Sequence, residues 1–219
     1  MSKTPSDLEK RLYKPLDDYL KALKKRVKEE FAPLYVSGFD QLNIVKLIKT
    51  TAQMYSDLDD FNRKHYRELC DHAVEWAAYV MGAEKVEFDS ADFVNQYLKG
   101  YDPVTQYVYI KEADRKRMRL NESILAAKEY QEIVKLQKAV KKAADLWFTQ
   151  GSQYALDIML ATVVAVFMKA GVKKLRWNTQ QDDKVCGDCH DLDGKVFNAK
   201  DYPPPQHYGC RCFPTPVNN

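Results

Sequence analysis

Tyr154-Ala-Leu-Asp-Ile-Met-Leu-Ala-Thr-Val-Val-Ala-Val-Phe-Met-Lys-Ala170 is apolar almost all the way round a helix. A helix hydrophobic on every face belongs in a core or in a bilayer. The run from Ala155 to Met168 falls short of the ~18 apolar residues that a span requires, and it contains Asp157. The stretch is therefore expected as the most buried helix of a helical domain, with Gly171 as its left-handed terminator.

Toward the N-terminus the pattern stays helical. A long helix is expected from about Ser123 to Phe148, with Ile133, Leu136, Val140, Ala144 and Trp147 on one face and an interruption at Gly151-Ser152. Thr4-Pro5-Ser6-Asp7 has the capping and first-turn residues of a helix start. Behind it Leu8, Leu12, Leu16, Leu20, Leu23, Val27, Phe31 and Leu34 form one stripe at spacings of three and four. Pro15 is a candidate kink. Asp40 is expected to cap a second helix with Leu42, Val45, Ile48, Ala52 and Tyr55 inward. Ser56 or Asp57 should then restart a helix that bears Leu58, Phe61, His65, Leu69, His72, Trp76 and Tyr79 and stops at Gly82. Asp89-Ser90 should cap a short helix through Phe93, Val94, Tyr97 and Leu98. Gly100-Tyr-Asp-Pro103 reads as a turn, and Val104-Thr-Gln-Tyr-Val-Tyr-Ile110 alternates as a brief extended segment.

Beyond Gly171 the composition changes. Val172–Trp177 alternates as a strand, and Asp193-Gly194 is a turn dipeptide that should join a hairpin between Leu192 and Val196-Phe197. The expected fold class is mainly α over residues 1–170, with a small C-terminal α+β or β-hairpin module over residues 171–219, zinc-stabilised.

The zinc expectation comes from cysteine usage. Cys70 stands alone on a helix, whereas Cys186, Cys189, Cys210 and Cys212 crowd the tail with His190 and His207. Zinc takes four thiolate or imidazole ligands in a tetrahedron, and a C-x-x-C turn with a second Cys/His group elsewhere supplies them. The expected set is Cys186, Cys189, Cys210 and either His207 or Cys212. His190, next to Cys189, should point elsewhere. A module of this size has little core, and a structural metal is a standard remedy. Reduced thiols in a small core, or a disulfide, are the plain alternatives. Asp191 and Asp193 resemble the opening of a calcium loop, but the later ligands are missing. His65, Cys70 and His72 are expected as core or partly exposed residues, since positions 65 and 72 are two turns apart and only Glu68 lies between them as a ligand.

Composition narrows the function. The chain has 219 residues, 45% hydrophobic and 30% charged, with a net charge of +3. That near-balance argues against a nucleic-acid-coating protein. The N-terminus has no apolar core of a signal peptide, and paired cysteines in a reducing cytoplasm favour metal over disulfide. Two basic clusters stand out. One is Lys21, Lys24, Lys25, Arg26 and Lys28. The denser one is Arg115, Lys116, Arg117 and Arg119, a solvated or salt-bridging face by default and a nucleic-acid or partner contact in the sharper reading. No P-loop, GxGxxG or GxSxG motif is present, and the protein is read as a non-enzyme. A Cys–His hydrolase built on Cys189 and His207 is a minor alternative.

Trp177-Asn-Thr, Asp183, Cys186-x-x-Cys189, Leu192-Asp-Gly-Lys-Val-Phe197, Pro204-Pro205-x-His207 and Cys210-Arg-Cys212 resemble the C-terminal module of the phage Mu F-like minor head proteins, the head morphogenesis family, over about residues 172–214. Asp102–Ile110 with Glu112 and Asp114–Arg117 resembles the middle of minor head proteins from prophages of Gram-positive bacteria. The resemblance implies a virion structural protein acting in head morphogenesis, made in the host cytoplasm and built into the virion head. Its implied partners are portal, major capsid or scaffold proteins, and in some members viral DNA, with no membrane and no small-molecule substrate. Some relatives carry a toxin domain after the module, and none is expected after Asn219. The runner-up is a zinc-stabilised nucleic-acid-binding module that uses Arg115–Arg119, Arg211 and the basic N-terminal face.

Overall fold

Thr4 caps the first helix as expected, its hydroxyl accepting from the Asp7 amide. In a computed structural model, which describes residues 4–41, 43–102, 104–180 and 185–217, six helices and three strands follow in order. They are α1 (Pro5–Phe31), α2 (Ile44–Met81), α3 (Ser90–Lys99), α4 (Tyr109–Glu129), α5 (Ile133–Lys169), β1 (Lys174–Asn178), α6 (Gly187–Leu192), β2 (Val196–Asn198) and β3 (Phe213–Pro216). The mainly helical class with a small α+β tail is what the sequence implied.

Several boundaries differ, each for a local reason. Asn43, not Asp40, caps α2 by accepting from the Lys46 amide at 3.0 Å. Leu42 and Pro103 lie outside the described residues. No restart occurs at Ser56 or Asp57: α2 is one helix of 38 residues, ended by Gly82 at φ 73°. The Val104–Ile110 segment forms no strand beyond a single bridge between Tyr101 and Val108, because Tyr109 already opens α4. The break expected at Gly151-Ser152 lies instead at Tyr130–Glu132, and α5 is continuous for 37 residues. That continuity makes α5 long and apolar enough to cross a membrane by composition, yet 72% of its apolar window is buried in the bundle, which is what a core helix does.

Within that helix position 151 is glycine because the site has no room for a side chain. An added Cβ would lie 3.1 Å from Asn62 Nδ2 and 3.2 Å from Leu23 Cδ2. The Tyr66 hydroxyl donates to the Gly151 carbonyl at 3.0 Å. Beside it Tyr19 donates to Asn62 Oδ1 at 3.0 Å, and Asn62 Nδ2 donates to the Tyr109 hydroxyl at 3.2 Å. Overpacking costs about 1–3 kcal/mol, so Gly151→Ala should lower stability by about that amount in chemical denaturation, whereas an unstrained helical Gly→Ala would raise it.

Helix direction follows from the side-chain pairs. Phe31 meets Tyr55 and Tyr19 meets Phe61, so α1 and α2 are antiparallel. Thr51 donates to Asn121 and Asn62 to Tyr109, so α4 is antiparallel to α2. Tyr55 meets Trp147 and Trp76 meets Phe167, so α2 and α5 run parallel at the centre. One pole of the bundle thus gathers the end of α1, the start of α2, the end of α4 and the start of α5.

The tail sits at the other pole. β1 is the central strand, antiparallel to β2 and β3 in the order β2-β1-β3. Asp193-Gly194 turns between α6 and β2 rather than between two strands, so the expected hairpin is a helix–strand turn. Leu175, Ala199 and Phe213 join the same buried cluster as the helices. Phe213 lies edge-on to Trp76 at 6.1 Å, and the Tyr13 hydroxyl donates to the Cys212 carbonyl at 3.0 Å.

Candidate metal centre

Three short elements bring the tail's cysteines together. Cys186 is the N-cap of α6, its Sγ accepting from the Cys189 amide at 3.4 Å. The turn before β3 delivers His207, Cys210 and Cys212, helped by the Tyr202–Pro205 segment, whose Tyr202 ring stacks on Trp177 at 5.4 Å. Cys189, Cys210, Cys212 and Trp177 form a second small buried cluster with Val185, Leu192 and Tyr202 against it.

The ligand atoms fall into two triads that share Cys189: Cys186, Cys189 and His207, and Cys189, Cys210 and Cys212, each within 4.8 Å. Cys189 Sγ lies 3.4 Å from His207 Nε2 and 3.6 Å from Cys210 Sγ. Bond lengths of ~2.3 Å to sulfur and ~2.0–2.1 Å to nitrogen put the edges of a tetrahedral zinc site at roughly 3.8 Å for S···S and 3.6 Å for S···N. The observed edges are of that size. His207 Nδ1 contacts the Tyr208 carbonyl at 2.9 Å, which places the proton on Nδ1 and leaves the Nε2 lone pair toward Cys189. All five expected residues therefore lie at one place, and a four-coordinate ion would draw from both triads. His190 is exposed and belongs to neither triad. Among the described residues no disulfide joins these thiols.

Hydrogen bonding from Cys212, helped by the Cys212 and Gln206 backbone, pulls the Cys210 thiol down to about 5 against its burial. Burial, then hydrogen bonding with Cys186 and the charge of Cys210, pushes Cys189 up to about 12. The Cys212 thiol is raised, chiefly by that same bond to Cys210. Ion-free, the cluster favours one thiolate shared among neighbours. A divalent cation reverses that preference, because it deprotonates the thiols it binds.

The other histidines and Cys70 have structural partners. Pro15 lacks the N–H that would bond the Arg11 carbonyl one turn back, and His72 Nε2 meets that carbonyl at 2.9 Å. His65 contacts the Phe61 carbonyl at 2.9 Å and packs on the Phe61 ring at 4.1 Å. Cys70 is buried with its Sγ 3.2 Å from Thr162 Oγ1. The tail's acids also act locally: Asp193 accepts from the Thr179 amide at 2.8 Å, while Asp183 lies outside the described residues.

The dense basic cluster is largely engaged within the chain. Arg115 pairs with Glu112 at 2.7 Å and lies over the Tyr107 ring at 5.1 Å. Arg117 pairs with Asp114 at 3.3 Å. Lys116 stands over Trp147 at 5.2 Å, and burial pulls it down to about 8. Arg119 is exposed. On α1, Lys21, Lys25 and Arg26 pair with Asp18, Glu29 and Glu30.

In the sequence Asp157 counted only against a membrane span. It is buried in α5 and accepts from Gln153 Nε2 at 2.7 Å. Burial first, then the charge of Asp102, pushes its carboxyl up to about 9. Its one visible signal was an acid inside an otherwise apolar helix. A carboxyl with a folded-state value above its unfolded ~3.9 contributes most below pH ~4, and the contribution is lost as pH rises toward 9. Asp157→Asn should therefore raise the melting temperature at pH 7 relative to the parent, with the difference closing near pH 4. Equal melting curves at pH 7 would contradict the buried, protonated carboxyl.

The family described as Phage Mu protein F like protein matches residues 114–214. That span holds all five clustered candidate ligand residues. Over residues 114–214 the chain is similar to the Phage Mu F-like family. The match bears out the resemblance seen in the tail. It begins within α4, so the family segment includes α5 as well as the Cys/His module. No curated protein and no solved structure matches the chain.

Proposed function

We propose that the chain is a minor head protein of a tailed phage or prophage. It assembles in the host cytoplasm, docks on the portal or the inner capsid face and stays in the virion head. Its Phage Mu F-like tail is held by one structural zinc drawn from Cys186, Cys189, His207, Cys210 and Cys212. The observation that carries this reading is the coincidence of the family match with a tail whose ligand atoms already stand at zinc-like spacings.

A structural role fits the chemistry better than a catalytic one. Cys189 contacts His207, but it is 1% exposed and its thiol is raised by burial, the opposite of an activated nucleophile. A catalytic zinc needs an open position, and this cluster offers five protein ligands for four places. The nucleic-acid reading is weakened because Arg115, Lys116 and Arg117 have partners inside the chain.

Mass spectrometry of purified heads tests the proposal. The chain should be found in the head at low copy and should co-purify with portal or shell proteins at high salt. Its absence from heads would overturn the reading. Duplex binding that falls steeply with salt, together with loss of co-purification, would favour the nucleic-acid alternative.

A further inference from the structure

Two hexapeptides in this chain are nearly identical. Ile44-Val-Lys-Leu-Ile-Lys49 opens α2 and Ile133-Val-Lys-Leu-Gln-Lys138 opens α5. The two helices run parallel, and in the register set by Tyr55 with Trp147 and Cys70 with Thr162 the hexapeptides come to the same end of the pair, staggered by about three residues, roughly one helical turn. Each buries its Leu, Leu47 or Leu136, and presents its Val outward: Val45 is 66% exposed and Val134 59%. Ile48, Leu125 and Tyr130 are exposed at the same pole, Tyr130 at 69%. Single exposed apolar residues need no explanation, but a cluster at one end of a bundle marks an interaction surface.

The charges around this patch run against helix stability. Lys46 and Lys135 occupy the first turns of α2 and α5, where the helix dipole favours acids, and neither first turn holds one. Lys46, Lys49, Lys128 and Lys138 make no ion pair among the described residues. Of the acids at this pole, Glu29, Glu30 and Glu132 pair with Lys25, Arg26 and Lys135, and Asp40 and Glu129 also lie there. The pole therefore combines an apolar centre with a positive rim and two helix N-termini. Duplex DNA would not reward the apolar centre, and a second copy would set lysine against lysine.

We propose that this pole, opposite the metal centre, is the docking surface for an acidic amphipathic helix of a partner protein, laid across the paired starts of α2 and α5. The surface is read from this chain alone. Only the partner's identity as a head component rests on the function proposed above.

The test uses the full chain and a labelled amphipathic helical peptide patterned with Glu and Leu, read by fluorescence anisotropy. Controls are the same peptide scrambled, a Lys/Leu counterpart and a labelled DNA duplex. Wild type should bind the Glu/Leu peptide selectively. Val45→Ser/Val134→Ser should weaken it about tenfold or more, and Lys46→Gln/Lys138→Gln should weaken it and flatten its salt dependence. Unchanged melting curves show that the variants fold, since the altered side chains are solvent-facing. Equal binding of the scrambled peptide or of the Ser variant would overturn the proposal. So would duplex competition at this surface, or dimerisation that the Ser variant abolishes. In phage-producing cells, a photocrosslinking residue in place of Tyr130 should yield an adduct with a head protein. No adduct while the chain is still packaged would sink this surface alone. A chain missing from heads that still binds the peptide would sink the head-protein function alone.

Discussion

Chelation at neutral pH should lower the melting temperature of the protein by on the order of 10 °C. A ligand present a thousandfold above its Kd stabilises the folded state by about 4 kcal/mol, and for a chain of this size each kcal/mol moves the midpoint by about 2–4 °C. Metal analysis of protein purified without chelator should give one zinc per chain. Cys189 belongs to both triads, so Cys189→Ser should abolish the metal altogether. Cys186→Ser and Cys212→Ser each remove a ligand from one triad only, and the spare donor can take its place at lower affinity. Protein that carries well under one zinc per chain, with melting indifferent to chelator, would end the case for a structural ion.

The second large effect concerns how the tail and the helices hold together. Phe213→Ala should cost about 3–5 kcal/mol, as expected for removing a fully buried aromatic side chain. Phe213 is 1% exposed and packs on Trp76, whose indole N–H donates to the Leu8 carbonyl at 2.9 Å. The cavity opens where β3 packs on α2 and α5. Unfolding followed by helical circular dichroism and by tryptophan fluorescence should then shift as one transition, because Leu175, Ala199 and Phe213 lie in the same core as α2 and α5. Two separated transitions, with the helical one unmoved, would show that the tail is an independent unit beyond Gly171.

The patterns that were legible in sequence were those whose physics is local. Thr4, Asp89 and Gly82 marked helix ends because a cap is a bond between near neighbours. The α1 stripe and the all-apolar face of α5 announced burial through periodicity. The five candidate ligand residues stood out as thiol and imidazole pairs, and the structure brings all of them to one place. The segment Val104–Ile110 misled because its alternation of β-branched and aromatic residues has two uses. Here Thr105 and Tyr109 bond to Tyr154 and Asn62 across the bundle, contacts that no local pattern encodes.

By itself, then, the sequence determined that long amphipathic helices precede a thiol-rich tail, since side-chain period, caps and cysteine spacing act over a few residues. Only the tertiary structure decided that Gly151 continues a helix rather than breaking one, because its need for glycine comes from Asn62 and Leu23 on other helices. The same holds for His72, which meets the carbonyl that Pro15 leaves without a partner on α1. It holds too for the twin hexapeptides, which parallel packing of α2 and α5 brings to the same pole. In each case the deciding contact joins residues far apart in the chain, and proximity of that kind exists only once the core has formed.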